Sequence, residues 1–309
     1  MEKSLVTAIT KAQTPLDRMT DMISNGKSEN TRRTYRHALS DFIDWFDLQP
    51  NRDKLPGFNR QIVLAYIDNL LEKELSPATI NIRIAAIRQL AKELHYQKYL
   101  TKSQADAISD IKNITDRGSK VGVWLTKRQA KKLLDTPDPE TLKGKQQLVI
   151  LALFLGCALR REEAADLTCD MVRPINSHWA IVNLKGKGNK TRTIPIPPWA
   201  IDIIHDWQNA TDVREGKLLR AVGRYDRLHG YGISSQAIYF TIKKLVKAAG
   251  LPDLAPHSLR RTWAKTAYMQ NAPLDQISLI LGHASIKTTE VYLGLHGVDL
   301  ENPVYVSFN

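Results

Sequence analysis

The chain has 309 residues, of which 43% are hydrophobic and 25% charged, and its 44 lysines and arginines outnumber 32 acidic residues for a formal net charge of +12. That length suits two domains, and the composition is that of a soluble globular protein with enough apolar residues for a sizeable core, not of a disordered or fibrous chain. The positive excess points to a polyanionic partner, most simply nucleic acid. An acidic membrane surface is the alternative, but the longest apolar run extends only from Leu148 to Leu159, which suits a buried helix and not a membrane span.

The first residues, Met1-Glu2-Lys3-Ser4-Leu5, lack the pattern of a secretory signal, so a cytoplasmic, nucleoid-associated location is expected. The two cysteines, Cys157 and Cys169, cannot make a disulfide framework or a cysteine-rich zinc site and are expected to stay reduced, with Cys157 in the core.

The N-terminal part, residues 1–115, reads as helical throughout. A weak start signal stands at Thr14-Pro15. Asn30 can cap a helix whose apolar face carries Tyr35, Leu39, Phe42, Ile43 and Phe46. Asn59 can cap a second, with Ile62, Tyr66, Leu70 and Leu71 inward. Ser76-Pro77 opens a third, along which Ile80, Ile84, Ile87, Ala91 and Leu94 recur at spacings of four and three. A shorter helix is expected over Ser103 to Lys112. Residues 116–122, polar and with two glycines, read as a linker.

In the second part, residues 123–309, Thr126 can cap a helix over Lys127 to Leu134, and a long apolar helix is expected to end near Arg160. Residues 179–184 and 191–196 are β-type runs flanking a Gly-Lys-Gly-Asn turn, hence a hairpin. A helix follows from Trp199 to Gln208, and residues 213–232 read as an irregular loop. Ser234 or Ser235 can cap another helix that runs to Ala249 and stops at Gly250.

The chemistry lies in five short stretches. They are Ala158-Leu159-Arg160-Arg161-Glu162-Glu163, Lys185-Gly186-Lys187-Gly188-Asn189-Lys190, His257-Ser258-Leu259-Arg260, Leu281-Gly282-His283 and Thr288-Thr289-Glu290-Val291-Tyr292. Two arginines, a lysine, two histidines and a tyrosine can break and rejoin a phosphodiester with no metal and no nucleotide cofactor. The lysine turn is not a phosphate-cradling P-loop, because it lacks the G-x-x-x-x-G-K-[ST] spacing. Two histidines with no clustered acids or cysteines make a poor metal site.

The order Arg160, Lys187, His257-x-x-Arg260, His283, Tyr292 resembles that of the tyrosine recombinases, the integrase family of site-specific recombinases. The stretch Ser28-Glu29-Asn30-Thr31-Arg32-Arg33-Thr34-Tyr35 resembles the opening of their core-binding domain, so the likeness covers roughly residues 28–293. The fold implied is mainly α with a small β-sheet: a helical core-binding domain plus a catalytic domain, forming a C-shaped clamp on DNA. The implied activity is cleavage and religation of DNA strands through a 3′-phosphotyrosine and a Holliday junction, by a homotetramer on two double-stranded DNA sites, with no cofactor. The alternatives are a monomeric type IB topoisomerase-like enzyme that relaxes DNA, and a non-catalytic DNA-binding protein on the same fold.

The resemblance makes Tyr292 the nucleophile, and a phenol of pKa near 10 needs a base or a positive field to attack at neutral pH. Tyr268 and Tyr305 are rivals by residue type only. Arg160 and Arg260 would clamp the non-bridging phosphate oxygens, each such donor being worth about 3 kcal/mol of barrier. Arg161 is the competitor of Arg160, and Glu163, on the same helix face, would support these cations. Lys187 would protonate the departing 5′ oxygen, with Lys185 and Lys190 as competitors; such general acid catalysis is worth roughly a hundred- to ten-thousandfold. His257 would move protons near the tyrosine and His283 would hydrogen-bond the phosphate. For the DNA surface, Arg32, Arg33 and Arg36 open one helix and Arg83, Arg88 and Lys92 ride another; residues of this type contact phosphates without reading sequence. Arg220, Arg224 and Arg227 are ambiguous. The short segment before the first core-binding helix suggests a system without a separate arm-binding domain, and the tail after Tyr292 is expected to dock on a neighbouring protomer.

Overall fold

The computed structural model describes residues 22–23, 26–49, 57–115, 123–186, 191–283 and 285–295. The chain divides into two compact units, residues 1–119 and 120–309. The expected linker over 116–122, the signal at Thr14-Pro15, Lys187 with Lys190, and the tail after 295 lie outside the described residues.

The first unit is helical, with α1 over Glu29–Asp47, α2 over Arg60–Glu72, α3 over Pro77–Tyr96 and α4 over Lys102–Ser109. Asn59 and Ser76 cap α2 and α3 as their sequence signals require. α1 instead begins at Glu29, because the Ser28 hydroxyl accepts from the Thr31 N–H, while Asn30 sits inside the first turn and accepts from Arg33. α4 starts earlier than Ser103, because Thr101 and Gln104 form a reciprocal capping box, and it stops at Ser109 with Asp110 as its C-cap. The apolar faces meet in one core. Leu39, Phe42, Tyr66, Ile80, Ile84 and Ile87 are at its centre, and the rings of Phe42 and Tyr66 pack edge to face at 5.1 Å.

The second unit contains α5 (Lys127–Leu134), α6 (Leu142–Leu155), α7 (Arg161–Asp166), β1 (Val172–Ile175), β2 (His178–Lys185), β3 (Thr191–Ile196), α8 (Pro198–Thr211), β4 (Ala221–Val222), β5 (Leu228–His229), α9 (Ser235–Ala248), α10 (Pro256–Met269), α11 (Leu274–Leu281) and α12 (Ile286–Leu293). β1, β2 and β3 make an antiparallel sheet in that order, so the expected hairpin gains a third strand. The expected irregular loop holds a small two-stranded sheet, β4 with β5. Between these strands Asp226 accepts from the Leu142 and Lys143 N–H groups and so caps the start of α6.

The long apolar helix does not reach Arg160. α6 stops at Gly156, and Ala158 adopts the left-handed conformation with φ +52°. That conformation costs a residue with a Cβ about 1–2 kcal/mol. It turns the chain so that Arg160 starts a separate short helix, α7. Both cysteines are buried free thiols. No helix among the described residues is long and apolar enough to cross a membrane.

Candidate active site

Arg160, Glu163, His257, Arg260, His283 and Tyr292 gather around the C-terminal end of α11 and α12. The first half of the site is built around Glu163, which is 7% exposed. Because Glu163 is the third residue of α7, its carboxylate reaches back to accept the Arg160 backbone N–H at 2.8 Å. The same carboxylate accepts from Arg160 Nη1 at 2.8 Å and from Arg192 Nη1 and Nη2 at 2.9 and 2.8 Å, and Arg260 Nη1 lies 3.9 Å away. Burial would raise its pKa, but the hydrogen bonds of Arg192 and Arg160 win, and the carboxyl stays below its ordinary range.

The second anchor of these arginines is the end of α11, whose last carbonyls have no partner within the helix. Arg192 Nε donates to the Ile280 carbonyl, Arg160 Nη2 to those of Leu281 and Gly282, and Arg260 Nη2 to that of Leu281. Arg260 also donates from Nη1 to the carbonyl of Ala158, the residue whose left-handed backbone ends the preceding turn. Arg260 is 1% exposed, and burial, with Arg160 nearby, lowers its pKa to about 10. It therefore remains charged at neutral pH. Arg161 points elsewhere, to Glu162 and over the Tyr239 ring, so the geometry selects Arg160 over its neighbour.

The other half surrounds Tyr292. Its ring packs edge to face against His257 at 5.2 Å and His283 at 5.4 Å, with the Arg261 guanidinium over its face at 4.7 Å. The phenol donates to the His257 carbonyl at 3.3 Å. Burial raises the Tyr292 pKa, against the opposing pull of Arg260, Arg261 and Arg160, so the resting phenol is protonated. His257, near the start of α10, is held below its ordinary value by burial and then by Arg260, Arg261 and Arg160. His283 is lowered to about 4 by burial and the same field, chiefly Arg260 and Arg160. Its Nδ1 shares a 2.9 Å hydrogen bond with the buried Thr289 hydroxyl, which fixes the ring and leaves Nε2 for other partners. The rival Tyr268 packs on the small core formed by Ala158, Ala264, Ile277, Leu281 and Leu293.

Arg192, Arg261 and Thr289 are site residues that the sequence reading did not assign. Arg192 had a legible signal. It shares the inward register of β3 with buried Ile194 and Ile196, where a lone arginine needs a buried partner. Arg261 and Thr289 stand beside motif residues but carry no spacing of their own.

The first-unit cations divide. Arg83 pairs with Asp41, and Arg88 donates to Asn113 and the Ile111 carbonyl, so both hold that unit together. Arg32 lies 3.7 Å from Glu29, Arg33 donates to Asn30, and Lys92 is exposed.

A tyrosine beside two histidines and a set of anchored arginines supplies the residue types that phosphoryl transfer uses. The family comparison agrees: residues 123–296 match the phage integrase family and residues 19–98 match its N-terminal SAM-like domain. The chain therefore belongs to the phage integrase family, the tyrosine recombinases, which are DNA strand-transferring enzymes of site-specific recombination. It is similar to a tyrosine recombinase of Synechocystis, 29% identical with 88% of each chain covered. It is also similar to the tyrosine recombinase XerD of Pseudomonas putida, 26% identical with 87% of this chain and 88% of the relative covered. In fold it is similar to a lambda integrase dimer bound to a core site, with a TM-score of 0.69 at 14% identity over 94% of this chain and 98% of the other. A second match is XerH bound to its difH substrate, with a TM-score of 0.66 at 18% identity over 93% and 84%.

Proposed function

We propose that this chain cleaves and religates both strands of a specific double-stranded DNA site through a covalent bond to Tyr292. The observation that carries the reading is the convergence of Arg160 and Arg260 on one carbonyl, Leu281, in the site where Arg260 acts electrostatically on Tyr292. Two guanidiniums held together in this way match the two non-bridging oxygens of a phosphodiester.

The Tyr292 phenol loses its proton to the neutral His257 imidazole, and its oxygen bonds to the scissile phosphorus. The bond from phosphorus to O5′ breaks, and O5′ takes a proton from Lys187. The product is a 3′-phosphotyrosine and a free 5′ hydroxyl. The charge gathered on the phosphorane oxygens is met by Arg160, Arg260 and His283 Nε2. Because Arg260 is 1% exposed, phosphate binding there requires a local rearrangement of the groups around it. Attack by a 5′ hydroxyl on the phosphotyrosine reverses the sequence, so strand exchange needs no external energy.

Four protomers on two sites would pass through a Holliday junction. Arg32, Arg33, Arg36 and Lys92 would contribute phosphate contacts, with affinity falling steeply as salt rises. The test uses two plasmid-borne copies of the site that the protein protects when DNA flanking its own gene is footprinted. The expected result is recombinant product and a Holliday junction that depend on both copies. Relaxation of a supercoiled plasmid bearing no site, with no junction formed, would instead establish the topoisomerase-like reading.

A further inference from the structure

We infer that Arg192 is a positioning residue for the phosphate clamp: it saturates Glu163 so that Arg160 and Arg260 keep their charge and direction for the scissile phosphate. The inference rests on the proposed roles of those two arginines.

Glu163 supplies one negative charge to a neighbourhood of three arginines. Arg192 donates one hydrogen bond to each carboxylate oxygen of Glu163, a bidentate fork at 2.9 and 2.8 Å. Arg160 holds the same two oxygens with its Nη1 and its backbone N–H, so the carboxylate has four donors and no free acceptor. Were Arg192 absent, the carboxylate would be free to pair fully with Arg160 and to draw in Arg260 Nη1 from 3.9 Å. Either movement takes positive charge away from the phosphate.

Arg192 also fixes the wall opposite Glu163. Its Nε caps the Ile280 carbonyl, one of three successive carbonyls at the end of α11 that the arginines share. Gly282, in the left-handed conformation at φ +59°, lies directly on the guanidinium. A Cβ there would stand 3.3 Å from Arg192 Nη1 and 3.4 Å from its Cδ and Cζ. The next residue is His283. One side chain from β3 thus sets the spacing between the Arg160–Glu163 corner and the turn that delivers His283, without itself facing the nucleophile.

The experiment compares adduct formation in a single turnover on two nicked duplexes carrying the protected site. One has an ordinary scissile phosphate. The other has a methylphosphonate, in which a methyl group replaces one non-bridging oxygen and the transition state carries less negative charge. On the ordinary duplex, Arg192→Gln should slow adduct formation by about a hundredfold, the scale of loss when a clamp is misplaced by about 1 Å. On the methylphosphonate duplex that deficit should shrink to a few-fold, as should the deficit of Arg160→Ala. Arg192→Lys keeps the charge but not the fork, and is expected to show a smaller loss with the same rescue; it serves as the readout if the Gln variant does not fold. Equal deficits of the Arg192 variants on both duplexes, beside a rescued Arg160→Ala, would overturn the inference alone. An Arg160→Ala variant that is not rescued would overturn the phosphate-clamp reading and this inference with it.

Discussion

The two halves of the site are built differently. Around Glu163 the anchors are hydrogen bonds to a carboxylate or a carbonyl, with Glu163 and Arg260 buried and Arg160 partly exposed. Around Tyr292 the anchors are ring faces and edges plus one 3.3 Å hydrogen bond. The first half behaves as part of the core, and the second as a side chain parked on it. Holding charge for a phosphate rewards rigidity, because preorganised donors need no reorganisation in the transition state. A nucleophile that must bond to DNA and later release it gains from weak, interchangeable contacts.

That contrast can be broken by stability measurements. The largest effect is expected for Glu163→Ala, which leaves buried arginines without their carboxylate. Denaturant unfolding should show a loss of about 3–5 kcal/mol, as when one partner of a buried ion pair is removed. A loss below about 1 kcal/mol, the range of an exposed pair, would mean that the cradle is not structural. Arg261→Ala removes the cation over the Tyr292 ring, an interaction worth about 0.5–2 kcal/mol. The corresponding expectation is a slowing of adduct formation by about twofold to thirtyfold. An unchanged rate would show that the stacking is incidental.

Thr289→Val keeps the side chain's shape but leaves His283 Nδ1 without its partner. A stability loss of about 1 kcal/mol is expected, together with slower cleavage as the imidazole loses its orientation. Tyr292→Phe should be the mildest, below about 1 kcal/mol, since it forfeits one long hydrogen bond and keeps every ring contact. If Tyr292→Phe destabilised the protein as much as Glu163→Ala does, the contrast between the halves would collapse.

The two halves also separate by pH. The folded Glu163 pKa is depressed, so its contribution is present above the unfolded value near 4.3 and is lost as pH falls through the folded value. His283 is neutral in the fold down to about 4 but protonates near 6.5 when unfolded. It therefore weakens the fold progressively as pH falls from about 6.5 to about 4. His257, also lowered by burial, adds to the same decline, so thermal melting across this window should show a decline at the upper end that His283→Asn reduces and Glu163→Gln does not.

In each half the sequence made some members legible and hid others. Arg160 and Glu163 are three residues apart, and His257 and Arg260 share a helix turn, so local spacing exposes them. The cradle's third member escaped because Arg192 meets Glu163 across 29 residues and Ile280 across 88, and no helical or strand period reports such a meeting. The capping signals at Asn59, Ser76 and Thr126 placed three helices correctly, since a cap acts within one turn. The end of α6 was misplaced because nothing local requires a left-handed alanine; Ala158 adopts that conformation in a tertiary setting where its carbonyl meets Arg260. The first-unit arginines show the converse. A basic residue on an amphipathic helix reads as a DNA contact, whereas the pairing that also holds it within the unit, as with Arg83 on Asp41, has no local signal.

The most direct test of the account is to identify the residue that becomes bonded to DNA. The protein is incubated with the nicked duplex carrying its protected site, and the trapped adduct is digested and sequenced by mass spectrometry. The account predicts a single nucleotide-bearing peptide, modified at Tyr292, and no adduct from Tyr292→Phe although that variant still binds the duplex. A modification at Tyr268 or Tyr305, or an adduct that persists in Tyr292→Phe, would contradict it.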